Sequence, residues 1–195
     1  MTTRRVTEEM AAPPPNTLRL ALRREDTRAL LVVQRSLGRD TVVASARALS
    51  HFGEHAAGWL LIGAVATIRC EAPQRREWAT ATGSVFLAHA AAVIVKRIVR
   101  RPRPQDLRVR VLVKTPSRLS FPSAHVTSTT AAAVSYGRLL RPGPASVILP
   151  AVAVSMGISR MVLGVHFPTD VAAAAVLGLT VAKWHRVQRR ETVIG

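Results

Sequence analysis

Three short stretches of this chain hold residue types that together can manage a phosphate group. The first is Lys-x6-Arg-Pro (Lys96, Arg103, Pro104), the second Pro-Ser-Ala-His (Pro122 to His125), and the third Ser-Arg-x5-His-x3-Asp (Ser159, Arg160, His166, Asp170). His166 and Asp170 are four apart, one helical turn, and Pro168 between them suits the first turn of a helix. The carboxylate can then reach the imidazole, fix its tautomer and stabilise a cation formed on it when it acts as a nucleophile. Taken alone, such a pair is in most proteins a helix-terminal aspartate beside a packing histidine; its spacing from Ser159-Arg160 favours the chemical reading. Pro122 can open a helix whose first N–H groups face the preceding loop and attract an anion. Ser123 would add a hydroxyl and Ala124 a backbone amide, while His125 is available to protonate a departing alkoxide. Lys96, Arg103 and Arg160 offer three positive charges to the three non-bridging oxygens of a phosphoryl group, whose transition state is stabilised chiefly by positioning and charge. Arg97, Arg100 and Arg101 read instead as anchors of a helix end to lipid phosphates.

Something must bring these stretches together, and the composition points to a membrane. Of 195 residues, 48% are apolar, yet the formal net charge is +17. Only four of the eleven carboxylates (Glu77, Asp106, Asp170 and Glu191) lie beyond residue 71. Such basicity suits anionic lipid head groups or nucleic acid, and the apolar runs between the basic clusters favour lipid; no nucleic-acid partner is expected. Five segments have the character of membrane spans: Phe52 to Ile68, Trp78 to Val99, Ser123 to Leu140, Pro144 to Leu163 and Pro168 to Trp184. They lie near the minimum for a span, ~20 residues with about 17 tolerated, and their Ala, Gly, Ser and Thr content suits tight helix–helix packing. The fold expected is all-α, a polytopic bundle of about five transmembrane helices. Ahead of it, residues 18–51 show apolar residues at helical spacing among arginines, interrupted by Gly38, which predicts one or two amphipathic helices on the membrane surface. Residues 1–17, with Pro13-Pro14-Pro15, read as a disordered tail without the apolar core of a secretory signal. Residues 52–187 form the transmembrane domain and residues 188–195 a basic tail that also takes in His185.

If the chain alternates across the bilayer, the loops after the second and fourth spans emerge on one side, so all three motifs meet. Nineteen of the 28 Lys and Arg residues fall on that side; taken literally, the positive-inside tendency places it in the cytoplasm, yet three of those charges belong to the motifs and others suit the interface, so both orientations stay open. One cysteine, Cys70, excludes an intramolecular disulfide and a cysteine-rich metal site. His51-Phe-Gly-Glu54-His55 matches an inverted zinc-protease pattern, but Gly53 weakens the helix it needs and no further acidic ligand follows, so Glu54 and His55 are read as capping or hydrogen-bonding residues. His89, inside the second span, is expected to be buried and hydrogen-bonded.

In order and spacing the three motifs resemble the tripartite signature of the type 2 phosphatidic acid phosphatase (PAP2) superfamily over about residues 50 to 185, departing only at Ala124, where that family usually has Gly. The resemblance implies a membrane helical bundle and a phosphatase that needs no metal or other cofactor. It further implies that His166 is a nucleophile forming a phosphohistidine, with Asp170 its partner and His125 the general acid. Lys96, Arg103, Ser123, Ala124 and Arg160 would bind phosphate. The short, arginine-rich form is similar to small bacterial members, in particular decaprenylphosphoryl-5-phosphoribose phosphatases. That similarity implies a lipid-linked phosphate as substrate and a multi-pass protein of the plasma membrane. Polyprenyl pyrophosphate, phosphatidylglycerophosphate and phosphatidic acid are the alternative substrates within the class. A vanadium haloperoxidase has a similar pocket, but the hydropathy argues against a soluble oxidase. From another class, a lipid-binding scaffold without activity would be expected to have lost at least one of His125, His166 and Asp170.

Overall fold

The computed structural model describes residues 15–140 and 143–194. Seven α-helices run through them: α1 (Pro15–Leu37), α2 (Asp40–Phe52), α3 (Ala57–Arg69), α4 (Gln74–Val99), α5 (Ala124–Gly137), α6 (Ala145–Val162) and α7 (Pro168–Ile194). No strand occurs among the described residues; one isolated antiparallel bridge, Pro102 with Leu119, closes the neck of the long α4–α5 loop.

The helices follow the sequence segments closely, with three adjustments. The tail expected over residues 1 to 17 falls outside the described residues as far as residue 14, and α1 begins at Pro15 rather than Leu18. The break at Gly38 separates α1 from α2, as the sequence suggested. The span expected to start at Phe52 is interrupted: α2 ends at Phe52, His55 and Ala56 adopt left-handed conformations (φ 51° and 61°), and α3 starts only at Ala57. At the other end α7 continues unbroken through the residues read as a tail. His185 therefore stays on the inner face of that helix, its Nδ1 2.7 Å from Ser84 Oγ on α4, and is not a solvated tail residue.

Among the described helices α4 alone is both long and apolar enough to cross a bilayer by itself, with a mean hydropathy of 1.5 over its most apolar stretch; a shorter apolar helix covers Val147–Val162. At 1.5 Å per residue, α3 and α5 are only about 20 Å long, less than a hydrocarbon core of ~30 Å.

The bundle is built inside out relative to a water-soluble one. Its outside carries large apolar side chains on four helices, with Ile68, Ile98, Val147 and Val176 between 62% and 77% exposed. Its inside is small and hydroxyl-rich: Ser84, Thr127, Ser128, Thr129, Thr130 and Ser135 are buried. Several of these hydroxyls donate to a carbonyl one turn back in their own helix, as Thr127 does to Ser123 O (3.0 Å) and Ser128 to Ala124 O (3.0 Å). Small interior residues let backbones approach. A Cβ on Gly178 of α7 would lie 2.5 Å from Thr127 O and 2.9 Å from Thr130 Cβ, so the main chains of α5 and α7 come close together just beyond the second motif. A second layer of adhesion comes from Trp59, whose Nε1–H donates to Thr129 Oγ1 (2.9 Å) and whose carbonyl accepts the Tyr136 hydroxyl (2.9 Å).

α4, α5 and α7 pack on one another, α6 packs on α5, and α1 and α2 lie across α6 and the start of α7 at the end where the motifs sit. Their apolar stripes are what seats them: Leu30 and Leu31 pack with Val109 and Phe167, and Val43 and Ala46 with Val162, Leu163 and Val165. Gln34 of α1 ties two loops together, donating to Arg110 O (2.7 Å) and Val162 O (3.0 Å) and accepting from the Arg110 amide (3.0 Å). Directly beneath it the chain reverses at Gly164, at φ 71°, where a Cβ would meet Arg110 O at 2.2 Å; only glycine fits this turn, which delivers His166.

Candidate active site

The three motifs converge at this end of the bundle. Lys96 stands in the last turn of α4, Arg103 in the loop that follows, Ser123 at the N-cap of α5 with Ala124 and His125 in its first turn, Arg160 in the last turn of α6, His166 in the short loop after it, and Asp170 in the first turn of α7. Ser123, Arg160, His166 and Asp170 are at most 2% exposed, and Lys96 is buried as well. Ala124, the one departure from the family pattern, is half-buried.

His166 is the centre of the arrangement. Its Nε2 lies 3.2 Å from Arg103 Nη1, and its Nδ1 lies 3.7 Å from Asp170 Oδ2. A guanidinium only donates, so Nε2 is the acceptor nitrogen and the proton of the neutral ring sits on Nδ1, facing Asp170. Burial, then the charges of Arg103, Arg160 and Lys96, hold the His166 pKa well below its ordinary 6.5. The ring is thus uncharged at neutral pH with a lone pair on the side of the cations. Burial likewise lowers Arg103 to about 10, with Asp170 partly opposing the shift.

Asp170 serves as a helix-terminal acceptor and also stands beside His166. Oδ2 accepts the Phe167 N–H (2.9 Å), the reach from the third helical residue back to the N-cap that starts α7. The same oxygen faces His166, at a separation just too long for a hydrogen bond.

Two of the cations, Lys96 and Arg103, are held by backbone carbonyls, and Arg160 by a side-chain hydroxyl. Lys96 Nζ donates to Leu119 O (3.1 Å), fixing the loop ahead of α5. Arg103 donates through Nε to Ser117 O (2.9 Å) and through Nη1 to Val165 O (2.7 Å). Arg160 Nη1 donates to Ser50 Oγ (2.5 Å), and His125 Nε2 donates to Ser50 O (3.1 Å), so one residue of α2 orients two of the expected site residues.

Four buried side-chain atoms among the described residues lack any hydrogen-bond partner: Ser123 Oγ, Arg160 Nε, His166 Nδ1 and His89 Nδ1. Three belong to the expected site and all three are donors; the His166 Nδ1–H faces Asp170, which leaves the serine hydroxyl and the guanidinium N–H with no acceptor nearby. Buried donors are ordinarily satisfied, so a cluster of them with adjacent cations is a cradle for an oxyanion. The fourth corrects an expectation: His89 is only half-buried and its Nδ1 is not hydrogen-bonded, the ring resting 6.3 Å from that of His55.

Several residues in the neighbourhood were misread or missed. Arg101, read as a lipid anchor, turns inward: its guanidinium bonds Asp170 Oδ1 (2.8 Å) and Asp26 Oδ2 (2.6 Å) and lies over the Phe167 ring, 4.2 Å from its centroid. Asp26, Thr169 and Ser50 were not singled out. The signal for Asp26 and Ser50 was available, since each extends the apolar stripe of its helix (Asp26 with Leu30, Val33 and Leu37; Ser50 with Val43 and Ala46) and a polar residue on such a stripe needs a partner.

The profile of the PAP2 superfamily matches residues 77–192. The chain is 52% identical over 153 residues to a decaprenylphosphoryl-5-phosphoribose phosphatase of Mycolicibacterium smegmatis, covering 77% of this chain and 81% of that protein. It is 50% identical over 163 residues to the protein of the same name from Mycobacterium tuberculosis, covering 81% and 87%. Among solved structures, a transmembrane PAP2 type phosphatidylglycerolphosphate phosphatase from Bacillus subtilis superimposes with a TM-score of 0.70 at 24% identity, over 88% of this chain and 87% of that one. Aquifex aeolicus LpxE gives 0.63 at 19% identity, over 82% and 93%. The arrangement of helices agrees with the solved structures, and on the profile match and the identity to these relatives the chain belongs to the PAP2 superfamily.

Proposed function

We propose that this protein is an integral membrane lipid phosphatase that hydrolyses a phosphomonoester on a polyprenyl-linked sugar phosphate, decaprenylphosphoryl-5-phosphoribose, through a phosphohistidine. The observation that carries the reading is the cluster of unsatisfied buried donors, Ser123 Oγ and Arg160 Nε, beside a neutral histidine and the Arg103 and Lys96 cations. The substrate assignment rests on the names of the relatives at 50% and 52% identity.

In this mechanism the Nε2 lone pair of His166 attacks phosphorus while Arg103, Arg160, Lys96, Ser123 and the Ala124 amide hold the non-bridging oxygens. The P–O bond to the alcohol breaks, and the alkoxide takes a proton from His125. For this step His125 must enter doubly protonated, a charge offset by the bound phosphate: its Nε2–H stays on Ser50 O, the proton transferred is the one on Nδ1, and the ring is left as the neutral Nε2–H tautomer. The Nδ1–H of His166 closes the remaining gap to Asp170 as the ring becomes cationic. Water then attacks the phosphohistidine, giving its proton to His125; the P–N bond breaks and inorganic phosphate leaves. The positive charge that phosphate needs is supplied by side chains, so no metal is required.

Five spans, α3 to α7, cross the plasma membrane in this reading, the shorter ones extended by flanking residues. Residues 18–51 lie at the interface over the site, ahead of a catalytic domain of residues 52–187 whose last helix carries on to Ile194. The exposed apolar belt on α3, α4, α6 and α7 supports that immersion, as do Leu20, Leu22 and Val32 exposed on α1. An apolar groove of about 550 Å³ between α5, α6 and α7 supports a lipid substrate: Val126, Met161 and Val171 line it, each the chain neighbour of a site residue.

The test is phosphate release from detergent-solubilised protein in the presence of EDTA, with a panel of polyprenyl and glycerolipid phosphates. Turnover that favours the polyprenyl sugar phosphate and is abolished by His166→Ala is expected. Equal rates for wild type and His166→Ala refute the mechanism, and a preference for phosphatidylglycerophosphate refutes the substrate.

A further inference from the structure

Resting on the reading of Asp170 as the partner of His166, we propose that Asp26 of α1 is a positioning residue for that carboxylate, acting through the guanidinium of Arg101. Three groups from distant parts of the chain form one buried unit. Arg101 Nη1 donates to Asp170 Oδ1 (2.8 Å) and to Thr169 Oγ1 (2.7 Å), and Arg101 Nη2 donates to Asp26 Oδ2 (2.6 Å). Asp26 Oδ1 accepts the Thr169 N–H (3.2 Å), and the Thr169 hydroxyl donates to Asp26 Oδ2. The side chains of Asp26 and Asp170 are 6% and 0% exposed and that of Arg101 16%, so the unit is largely withdrawn from water.

Charge explains why a second carboxylate belongs there. A 1:1 pair of Arg101 with Asp170 is formally neutral and has little attraction left for an imidazolium. Asp26 shares the guanidinium, so the three groups carry a net −1, and that charge is presented to His166 through the one Asp170 oxygen Arg101 does not hold. The fork of the guanidinium, bridging two carboxylates in a plane braced on Phe167, fixes Oδ1 and thereby the aim of Oδ2. The other charged or titratable groups acting on His166 are Lys96 from α4, Arg103 from the loop and Arg160 from α6, all cations, with His125 of α5 nearby. Against three cations, the net negative unit on the α7 side is what makes a positive ring at His166 tolerable. Asp26 lies outside residues 77–192, the span matched by the superfamily profile, so this unit ties a segment beyond that span to the chemistry.

The experiment measures pH profiles of kcat and KM for full-length, detergent-solubilised Asp26→Asn, Asp26→Glu, Arg101→Lys and Asp170→Asn. Asp26→Asn is expected to lower kcat by about tenfold, the order expected for one charge several ångströms away at an effective dielectric near 20, with KM unchanged. Its acid limb should move to lower pH, because a ring with less negative charge nearby holds its proton less tightly. Asp26→Glu should restore most of the rate, and Asp26→Asn added to Asp170→Asn should lower the residual rate no further. Arg101→Lys keeps the cation without the fork and should also lose kcat, so the test survives if Asp26→Asn does not fold. Wild-type kcat in Arg101→Lys, an unmoved acid limb in Asp26→Asn, or an undiminished Asp26 effect in the Asp170→Asn background would overturn the proposal. Full activity in Asp170→Asn itself would instead overturn the His166–Asp170 pairing on which it rests.

Discussion

Ser50 offers the sharpest test of how α2 contributes. Its hydroxyl accepts a 2.5 Å hydrogen bond from Arg160 Nη1, while its backbone carbonyl separately accepts from His125 Nε2. Ser50→Ala therefore removes the restraint on Arg160 and leaves that on His125. The lost contact is charge-assisted and buried, a class worth about 1.5–3 kcal/mol. If Arg160 binds the phosphoryl group more tightly in the transition state than in the ground state, a loss of that size lowers kcat/KM by about 10- to 150-fold, at 1.4 kcal/mol per decade. Leaving a buried guanidinium N–H without a partner also costs stability, so rates should be measured well below the melting temperature of the variant, with helical content checked by circular dichroism. Phosphate release is the assay, and Ser50→Thr, which keeps the hydroxyl, should recover part of the rate. Wild-type kcat/KM in a folded Ser50→Ala protein would show that the orientation of Arg160 does not limit catalysis, and the role assigned to Arg160 would fail with it.

Two further outcomes follow from the same geometry. Since the folded-state pKa of His166 lies well below 6.5, the unfolded chain binds a proton first as pH falls, and the stability from keeping this ring neutral is full above about 6.5 and declines below it. Melting temperatures in detergent should drop between pH 7 and 5, and the acid limb of kcat/KM should lie below 6.5; a flat melting temperature with a limb above 6.5 would contradict this. Asp106, which Arg108 holds down to about 2 chiefly through side-chain hydrogen bonds, gives up its contribution only below its ordinary 3.8, and so does not interfere. Gly178→Ala must separate α5 from α7 at Thr127, an overpacking expected to cost about 1–3 kcal/mol, and because Thr127 is two residues beyond His125 the variant should lose rate as well as melting temperature. An unchanged melting temperature would show that the helices yield there without cost.

The site was legible because its motifs are local: Lys96 to Pro104, Pro122 to His125 and Ser159 to Asp170 each lie within a dozen residues, and helical periodicity places them at helix ends. The helices α4 to α7 were legible from apolar runs bounded by proline and charge. What the sequence concealed depends on pairing between distant segments. Arg101 looks like any arginine at the end of a membrane helix, and nothing in its surroundings reveals that its partners are Asp26 and Asp170, 75 and 69 residues away. Ser50 and Arg160 are 110 apart. His185 was misassigned because a basic C-terminal run reads as solvated, whereas the continuity of α7 turns that residue toward Ser84. The left-handed turn at His55 and Ala56 has only a weak sequence signal, since histidine is modestly enriched in that conformation and alanine is not.

The inward-facing carboxylate of α1 has a bearing on biosynthesis. Asp26 leaves the ribosome early, but the arginine that balances it is made 75 residues later, and the threonine that completes its coordination 143 residues later. Until then its charge needs hydration, so α1 has reason to wait in water or among head groups instead of docking. Placement of Thr169 at the start of α7 then becomes the event that recruits α1, so that this end of the bundle closes only after both partners of Asp26 are in position.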